Sequence, residues 1–579
     1  MQPGPVTLEP AMDPARRRAL GAHYTSERNV LRLIRPLFLD ALEAELRACG
    51  TSRARLRAFR AKLGRLTFLD PACGRGHVLA VAHRELRRLD DEALRRLGAA
   101  DAPVVSPGQF HGIELDAAAA RAAAAALGGG ARIAVGNALR LDWEGVLPAG
   151  RCSFLLGNPP YGGKHLLAPG QRADVAAVAG TASLDYAAGW LVKAADYLAA
   201  GPQVRGAFVV TNSITQGEQV PALWPLLHAR GLRVRFGWRT FVWTGVANVH
   251  VVIVGFERAP ARAALYEEGR AVRTVPRLNG YLAPGPDVYP AARARPLDPA
   301  VPPVVYGAKP ADGGFLLLDA VEAAAVRERD PVAAAYVRPL LSATEFLNGR
   351  ERYCLWLAGA DPADLRRSPV LRERLAAVRA FRLASAKAHT RAMAGRPGAF
   401  AEVRRPRGDF VFIPRHASAA RRLIPMGFVP AGADAVVHDS GAYVESADLA
   451  LFGVLQSAMF AAWQRTVGGR IRSDYRFNNR LVYNTFPFPR LTGAQRERVA
   501  AAAQEVLAAR AAHPGVSLGR LYAPGATPAD LLRAHRRLDA AVDAAFGHAP
   551  ETDRLATLLA RHEAEARLHT AARTGRSDC

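Results

Sequence analysis

The chain is poor in lysine and in cysteine, and each shortage excludes something. Lysine occurs only as Lys62, Lys164, Lys193, Lys309 and Lys387, so nearly all the positive charge is arginine. The cysteines, Cys49, Cys73, Cys152, Cys354 and Cys579, are odd in number and form no C-x-x-C pair. That excludes a disulfide scaffold and a cysteine-rich zinc site. No apolar run is long and clean enough to span a bilayer. The opening MQPGPVTLEPAMDPARRR has no apolar signal region. The expectation is a soluble, cytoplasmic protein with no membrane partner. Carboxylates are short as well. Asp and Glu number 52 against 77 Lys and Arg, a formal charge of +25. A polyanion is the natural partner, with nucleic acid ahead of a membrane surface.

What is present fits a globular chain. Half of the 579 residues are hydrophobic, which excludes extensive disorder, and the length predicts two or three domains. Residues 1–20 read as a disordered leader and 21–60 as a helical segment, with Ser26 as its N-cap. Over 61–260 strands and helices alternate: LTFLD, QFHGIEL, ARIAVGNAL, RCSFLLGNPPY and RGAFVVTNS are strands, and RVRFGWRTFVW with VHVVIVGF reads as a late hairpin. This succession predicts an α/β, Rossmann-like fold with a doubly wound, mostly parallel sheet and a late antiparallel hairpin. Residues 261–300, rich in proline, read as a linker. Residues 301–488 are mixed α+β, with strands DFVFIP and AYVES and an arginine-rich helix from LRERLAAVRAF to AHTRAM. Residues 489–579 are helical, with Thr527 as a cap.

Three motifs carry chemistry. DPACGRG, Asp70 to Gly76, joins a strand to a helix, and Gly74 and Gly76 let the backbone approach a ligand closely. It lacks the Lys-Ser/Thr of a nucleoside-triphosphate loop. GIEL ends the next strand, and Glu114 is placed to accept bonds from ribose hydroxyls. Its distance from Asp70 exceeds the roughly 20 residues of the dinucleotide fingerprint, so LRRLDDEALRRLGAADAPVVSPG reads as an insertion. The third motif is Asn158-Pro159-Pro160-Tyr161, where a buried strand runs straight into a polar side chain. A ring-conjugated exocyclic amine is a poor nucleophile. The Asn158 side-chain oxygen and the Pro159 carbonyl can accept its two N–H groups and favour the charge that develops as it attacks a methyl group. Tyr161 offers a face for stacking. His23, His77 and His111 fall in no metal-ligand spacing, so no metal is expected.

DPACGRG, GIEL and NPPY in this order resemble the S-adenosylmethionine-dependent amino-methyltransferases. With GAHYTSE before the first strand, the order resembles the gamma arrangement of DNA N6-adenine methyltransferases. TNSITQGEQVPALWPLL, RTFVWTG, VVYGAKPADGG, EFLNGRERYCLWL, FRLASAKAHTRAMA, RIRSDYRF and VYNTFPFP are similar to the MmeI-like family of restriction-modification enzymes, over nearly all of residues 19–546. The resemblance implies that Tyr24 and Thr25 lie near the methionine carboxylate of the cofactor. Asp70, Ala72, Gly74 and Gly76 would border the cofactor and Glu114 its ribose. Asn137 and Ala138 would flank its adenine, with the Asn137 oxygen as acceptor where many related enzymes have Asp. Asn158 to Tyr161 would hold the target base. Phe241 or Trp243 would be a second stacking wall or part of the core.

The same resemblance makes 301–488 a target-recognition domain on double-stranded DNA. Its basic residues include Arg382, Lys387, Arg404, Arg405, Arg407, Arg415, Arg421, Arg422, Arg470, Arg472 and Arg476. Each is expected on phosphate or in solvent rather than on a base, and Arg470, Arg472, Ser473, Asp474 and Arg476 form the best readout segment. Longer members carry a nuclease domain before the methyltransferase, whereas here the cofactor motif starts at Gly21. Methylation without cleavage by this chain is therefore expected, with a separate restriction endonuclease as a candidate partner. The expected reaction is transfer of a methyl group to the N6 amine of a flipped adenine. The rivals are cytosine N4, RNA adenine or protein glutamine as acceptor, and a non-catalytic DNA-binding subunit.

Overall fold

The computed structural model describes residues 26–243, 249–471 and 474–574. Tyr24, Thr25, Arg472 and Ser473 lie outside the described residues. The chain divides into two compact units between Tyr289 and Pro290. Among the described residues no helix is long and apolar enough to cross a membrane.

The first unit opens with helices Glu27–Ile34, Asp40–Cys49 and Arg53–Leu63, and a wide π turn, Arg35–Leu39, joins the first two. Pro36 has no N–H to donate, so the regular ladder cannot pass through it unaltered. Ser26 stands at the N-cap, but its carbonyl rather than its side chain takes the Asn29 and Val30 N–H groups.

Nine strands form one sheet: β1 Phe68–Asp70, β2 Phe110–Glu114, β3 Arg132–Val135, β4 Phe154–Gly157, β5 Arg205–Thr211, β6 Arg233–Trp243, β7 Val249–Glu257, β8 Ala263–Tyr266 and β9 Arg273–Val275. Their order is β3-β2-β1-β4-β5-β7-β6-β8-β9. The first five are parallel, and β7 runs antiparallel between β5 and β6, which is the late hairpin expected. Strands β8 and β9 extend the sheet, with β8 pairing β6. They lie in proline-bordered sequence that reads as linker because each is short and neither alternates cleanly. The supposed insertion after Gly76 is mostly a continuous helix, His77–Leu97, of 21 residues.

Register in the parallel half is set by aromatic rings. Phe68 pairs with Phe110 on one side and Phe154 on the other, with ring centroids 4.8 and 5.5 Å apart. Phe38, from the π turn, covers this ladder at 5.4 Å from Phe68 and 5.0 Å from Phe154. All four rings are buried. A one-residue slip would turn each Phe to the opposite face, so β1, β2 and β4 end at matched heights. The chain passes from β1 to β2 and β3 on one side, then to β4 and β5 on the other. The carboxyl ends flanking that reversal are where open α/β sheets bind ligands.

The second unit contains β10 Val304–Tyr306, β11 Leu317–Leu318, β12 Val337–Leu341, β13 Tyr353–Leu355, β14 Phe410–Pro414, β15 His416–Ala417, β16 Gly427–Val429, β17 Val436–Val437, β18 Gly441–Glu445, β19 Arg470–Ile471 and β20 Asp474–Arg476. They form three small sheets, β10-β18-β14-β16, β11-β13-β12-β17 and β15-β20-β19. Helices Gly493–Ala511, Ala529–Phe546 and Arg554–Thr574 close the chain. The cap expected at Thr527 falls on Pro528 instead. The arginine-rich helix runs Pro369–Leu383 and restarts at Ala388–Ala392.

Arg382 ends the first of these pieces and corrects an expectation. The sequence puts it on phosphate or in solvent, but it is fully buried. All five of its N–H groups donate to backbone carbonyls: Nε to Ala311 at 3.0 Å, Nη1 to Met393 and Arg396 at 3.2 and 2.8 Å, and Nη2 to Pro310 and Ala399 at 3.2 and 2.7 Å. The guanidinium fork gathers 310–311 and 393–399 around the helix end. Leucine would leave those carbonyls buried without donors. Arg382→Leu is expected to lower unfolding stability by about 3 kcal/mol or more, read from urea denaturation; wild-type stability would refute the role.

Candidate active site

The loop after β1 is built around Asp70. Its carboxyl is fully buried, Oδ1 accepts the Ala72 N–H at 2.9 Å, and Oδ2 is buried with no hydrogen-bond partner among the described residues. A side chain on Gly157, the last residue of β4, would put its Cβ 2.5 Å from Asp70 Oδ1, so only glycine leaves room for this carboxyl. Burial, reinforced by Glu114 and opposed by the Ala72 bond, pushes Asp70 up from 3.8 to about 7. Gly74 and Gly76 both take left-handed backbone, and a Cβ on Gly76 would lie 2.9 Å from the Ala123 backbone. Glu114, at the end of β2, ties the loop down. Its two carboxylate oxygens accept Gly74 N–H and Asp116 N–H, each at 2.9 Å. Leu115 beside it is 57% exposed, an aliphatic surface at the strand end that attention to Glu114 alone passes over.

At the end of β3, Gly136 N–H donates to the Glu114 carbonyl at 2.8 Å, bringing Asn137 beside Glu114. The Asn137 oxygen accepts Leu139 N–H at 2.9 Å, so part of the accepting capacity expected there is already used. Its amide donates to Asp174 Oδ2 at 2.9 Å. Asp174 lies in helix Pro169–Ala179 after the NPPY motif, and it also accepts Arg140 Nε at 2.7 Å and Tyr186 OH at 3.4 Å. Burial and the Asp174 carboxylate push Tyr186 up to about 12. Ala138 is buried, and its carbonyl accepts Trp143 Nε1 at 2.9 Å. Asp174 and Tyr186 were not foreseen, since nothing local in the sequence links them to position 137.

Strand β4 is buried throughout and delivers Asn158 half-exposed, followed by buried Pro159 and half-buried Pro160 and Tyr161. The Tyr161 hydroxyl donates to Asn158 Oδ1 at 2.5 Å. The oxygen expected to receive a target amine therefore already takes a bond from its own motif. Asp185, also unforeseen, holds the next loop: it accepts Lys164 N–H at 2.8 Å and the Ser213 hydroxyl, tying the loop to the end of β5. Trp190 donates to the Pro71 carbonyl at 2.9 Å and so links the following helix to the Asp70 loop. Phe241 and Trp243 are both in the core, with the Arg32 guanidinium 4.6 Å from the Phe241 ring. Of the two readings open for that pair, the structure has them as core.

In the second unit most of the named arginines hold protein. Arg404 pairs with Glu402 at 2.6 Å, Arg405 pairs with Asp434, and Arg415 lies over Tyr306 at 4.2 Å while donating to the Asp439 carbonyl. Arg421 donates to the Gly519 carbonyl at 2.9 Å. Lys387, Arg407, Arg422 and Arg476 are exposed. In the readout segment, Arg470 lies over Tyr475 at 4.3 Å and Asp474 accepts Ala419 N–H at 3.3 Å.

Comparison with known proteins places this arrangement. The family described as "MmeI, DNA-methyltransferase domain" matches residues 46–129 and 127–267, "MmeI, target recognition domain" matches 284–490, and "MmeI, C-terminal domain" matches 491–568. The chain belongs to the MmeI family. The Type IIL restriction-modification enzyme MmeI, solved in complex with DNA, is 38% identical, with a TM-score of 0.85 over 96% of this chain and 80% of that one. DNA methyltransferase A of Bacillus subtilis (strain 168) is 32% identical over 575 residues, 92% of this chain. The chain spans 64% of the length of that curated relative. The MmeI methyltransferase match contains Asp70, Glu114, Asn137 and Asn158, and the MmeI target-recognition match contains β10 to β20.

The buried carboxyl of Asp70 has a consequence for stability. An aspartate raised on folding favours the folded state while protonated, and that contribution fades as pH rises through the folded value. Asp70→Asn keeps the Ala72 bond and never ionises. Its melting temperature is expected to exceed that of the wild type above pH 7, and the gap should close towards pH 4. A gap independent of pH would show that Asp70 ionises normally.

Proposed function

We propose that this chain is a site-specific DNA methyltransferase of the restriction-modification type, transferring a methyl group from S-adenosylmethionine to the N6 amine of an adenine rotated out of duplex DNA. The observation that carries this reading is the convergence of Asp70, Glu114 and Asn158 on the carboxyl ends of β1, β2 and β4, where the strand order reverses. Membership of the MmeI family and the likeness to a DNA-bound MmeI support DNA as the substrate.

The residues present fit the cofactor. Asp70 Oδ2, a buried acceptor with no partner among the described residues, suits a donor such as the methionine ammonium, and an ammonium there would draw Asp70 into its charged form. Glu114 retains lone pairs for ribose hydroxyls beyond the two backbone bonds it accepts. Leu115 offers an apolar face for the adenine. When bound, S-adenosylmethionine supplies an electrophilic methyl group on a sulfonium. The chain supplies orientation. Asn158 Oδ1 and the Pro159 carbonyl accept the two N–H groups of the target amine and favour positive charge growing on its nitrogen. Tyr161 stacks on the base, and its hydroxyl yields the Asn158 oxygen to the incoming amine. The product ammonium is acidic enough to lose its proton to solvent, so no general base is needed.

Incubation with duplex DNA and labelled cofactor, followed by digestion to nucleosides, is expected to give N6-methyldeoxyadenosine. N4-methyldeoxycytidine alone, or label only in RNA or protein, would refute the adenine assignment. Asn158→Ala should lose about 10²-fold or more in transfer rate while DNA affinity is kept; unchanged turnover would defeat the role given to Asn158. Tyr161→Phe keeps the ring and removes only a donor worth about 1 kcal/mol, so its rate should stay within about tenfold of wild type, whereas Tyr161→Ala should fall far below both. Equal loss in the two variants would mean that the hydroxyl, and not the ring, is what matters.

A further inference from the structure

Asn137 is an amide, and an amide can face a ligand with its donor end or its acceptor end. Here the choice is made by neighbours. Leu139 N–H approaches the oxygen at 2.9 Å, and Asp174 Oδ2 takes the nitrogen at 2.9 Å. Leu139 is two residues away and comes with the local turn. Asp174 comes from helix Pro169–Ala179, 37 residues later in the chain. Its side chain is only 7% exposed, and Arg140, itself 66% exposed, pairs with its other oxygen at 2.7 Å. Burying a carboxylate this far is costly unless its lone pairs are used, and one of them is used on the Asn137 amide. Tyr186 shares the Asp174 oxygen that Asn137 uses, at 3.4 Å, closing that side of the amide.

We infer that Asp174 is a positioning residue for cofactor selectivity: by holding the nitrogen of Asn137 it leaves that side chain's remaining oxygen lone pair as a fixed acceptor beside Glu114, selecting a 6-amino purine over a 6-oxo purine. The inference rests on reading this crevice as the S-adenosylmethionine site. The 6-amino group of adenine donates, whereas the 6-oxo group of hypoxanthine only accepts. A locked acceptor rewards the first and opposes the second. Asn137 and Asp174 thus do together what a single carboxylate at position 137 would do alone. Because Asp174 follows the NPPY motif in the chain, the same bond connects the segment after the target-base loop to the cofactor's purine.

The test compares equilibrium binding of S-adenosylhomocysteine and S-inosylhomocysteine to the full chain by calorimetry. The ratio of the two affinities is measured on one folded population, so a partly unfolded variant does not distort it. Wild type should prefer the adenosyl ligand by about tenfold or more. Asp174→Asn removes the charge at constant size and lets both amides turn, so the preference should fall towards unity. Asn137→Asp alone sets two carboxylates together and should weaken both ligands. The double variant Asn137→Asp with Asp174→Asn exchanges carboxylate and amide and should restore the preference. An Asp174→Asn ratio equal to wild type, or a double variant no better than Asp174→Asn, overturns the role of Asp174. If wild type binds neither ligand, the cofactor-site reading itself fails, and the inference with it.

Discussion

Four phenylalanine rings set the geometry on which the candidate site depends. Phe68, Phe110 and Phe154 stack across β2, β1 and β4, and Phe38 closes the ladder from the helical segment. Because strand side chains alternate faces, locking one ring per strand locks every residue of that strand in height and face. Asp70, Glu114 and Asn158 are then carried to one rim. Only after that alignment does the absence of a side chain at Gly157 matter, since it is the register that brings this glycine against the Asp70 carboxyl.

The rim is held by carboxylates that act on protein as much as on any ligand. Glu114 ties β2 to the glycine loop, Asp174 ties the end of β3 to the helix after NPPY, and Asp185 ties the loop after NPPY to the end of β5. Each bond crosses between elements far apart in sequence, so the crevice is assembled from loops that brace one another. Its polar groups are therefore oriented before a ligand arrives, which is how fixed dipoles stabilise developing charge without reorganising. Asp70 stands apart, with one oxygen buried and without a hydrogen-bond partner among the described residues.

Net charge proved a coarser guide than the motifs. The surplus of +25 is real, yet Arg382 is wholly internal, and Arg404, Arg405, Arg415 and Arg421 are engaged with carboxylates, rings or carbonyls of the chain. Arginine's planar fork satisfies carbonyls inside a fold as readily as phosphates outside it, so counting arginines overstates the surface available to a polyanion. Among the described residues, Lys387, Arg407, Arg422 and Arg476 are the members of that group left exposed.

The parallel strands, their hairpin and the three motifs were legible because each is local. Runs such as FLLG and FVVT bury on both faces, and glycine or proline marks where each must stop. Strands β8 and β9 were not legible, because three or four residues carry no period and owe their pairing to the edges presented by β6 and then β8. Nor was the Tyr161 bond to Asn158, the Asn137 bond to Asp174, or the interior place of Arg382. Amino-acid order alone determined which residues can stack, accept or turn, since those are properties of side chains and of short backbone spans. Which of them meet was decided in three dimensions, because a hydrogen bond across 37 residues, as from Asn137 to Asp174, exists only once the intervening strand and loops have packed.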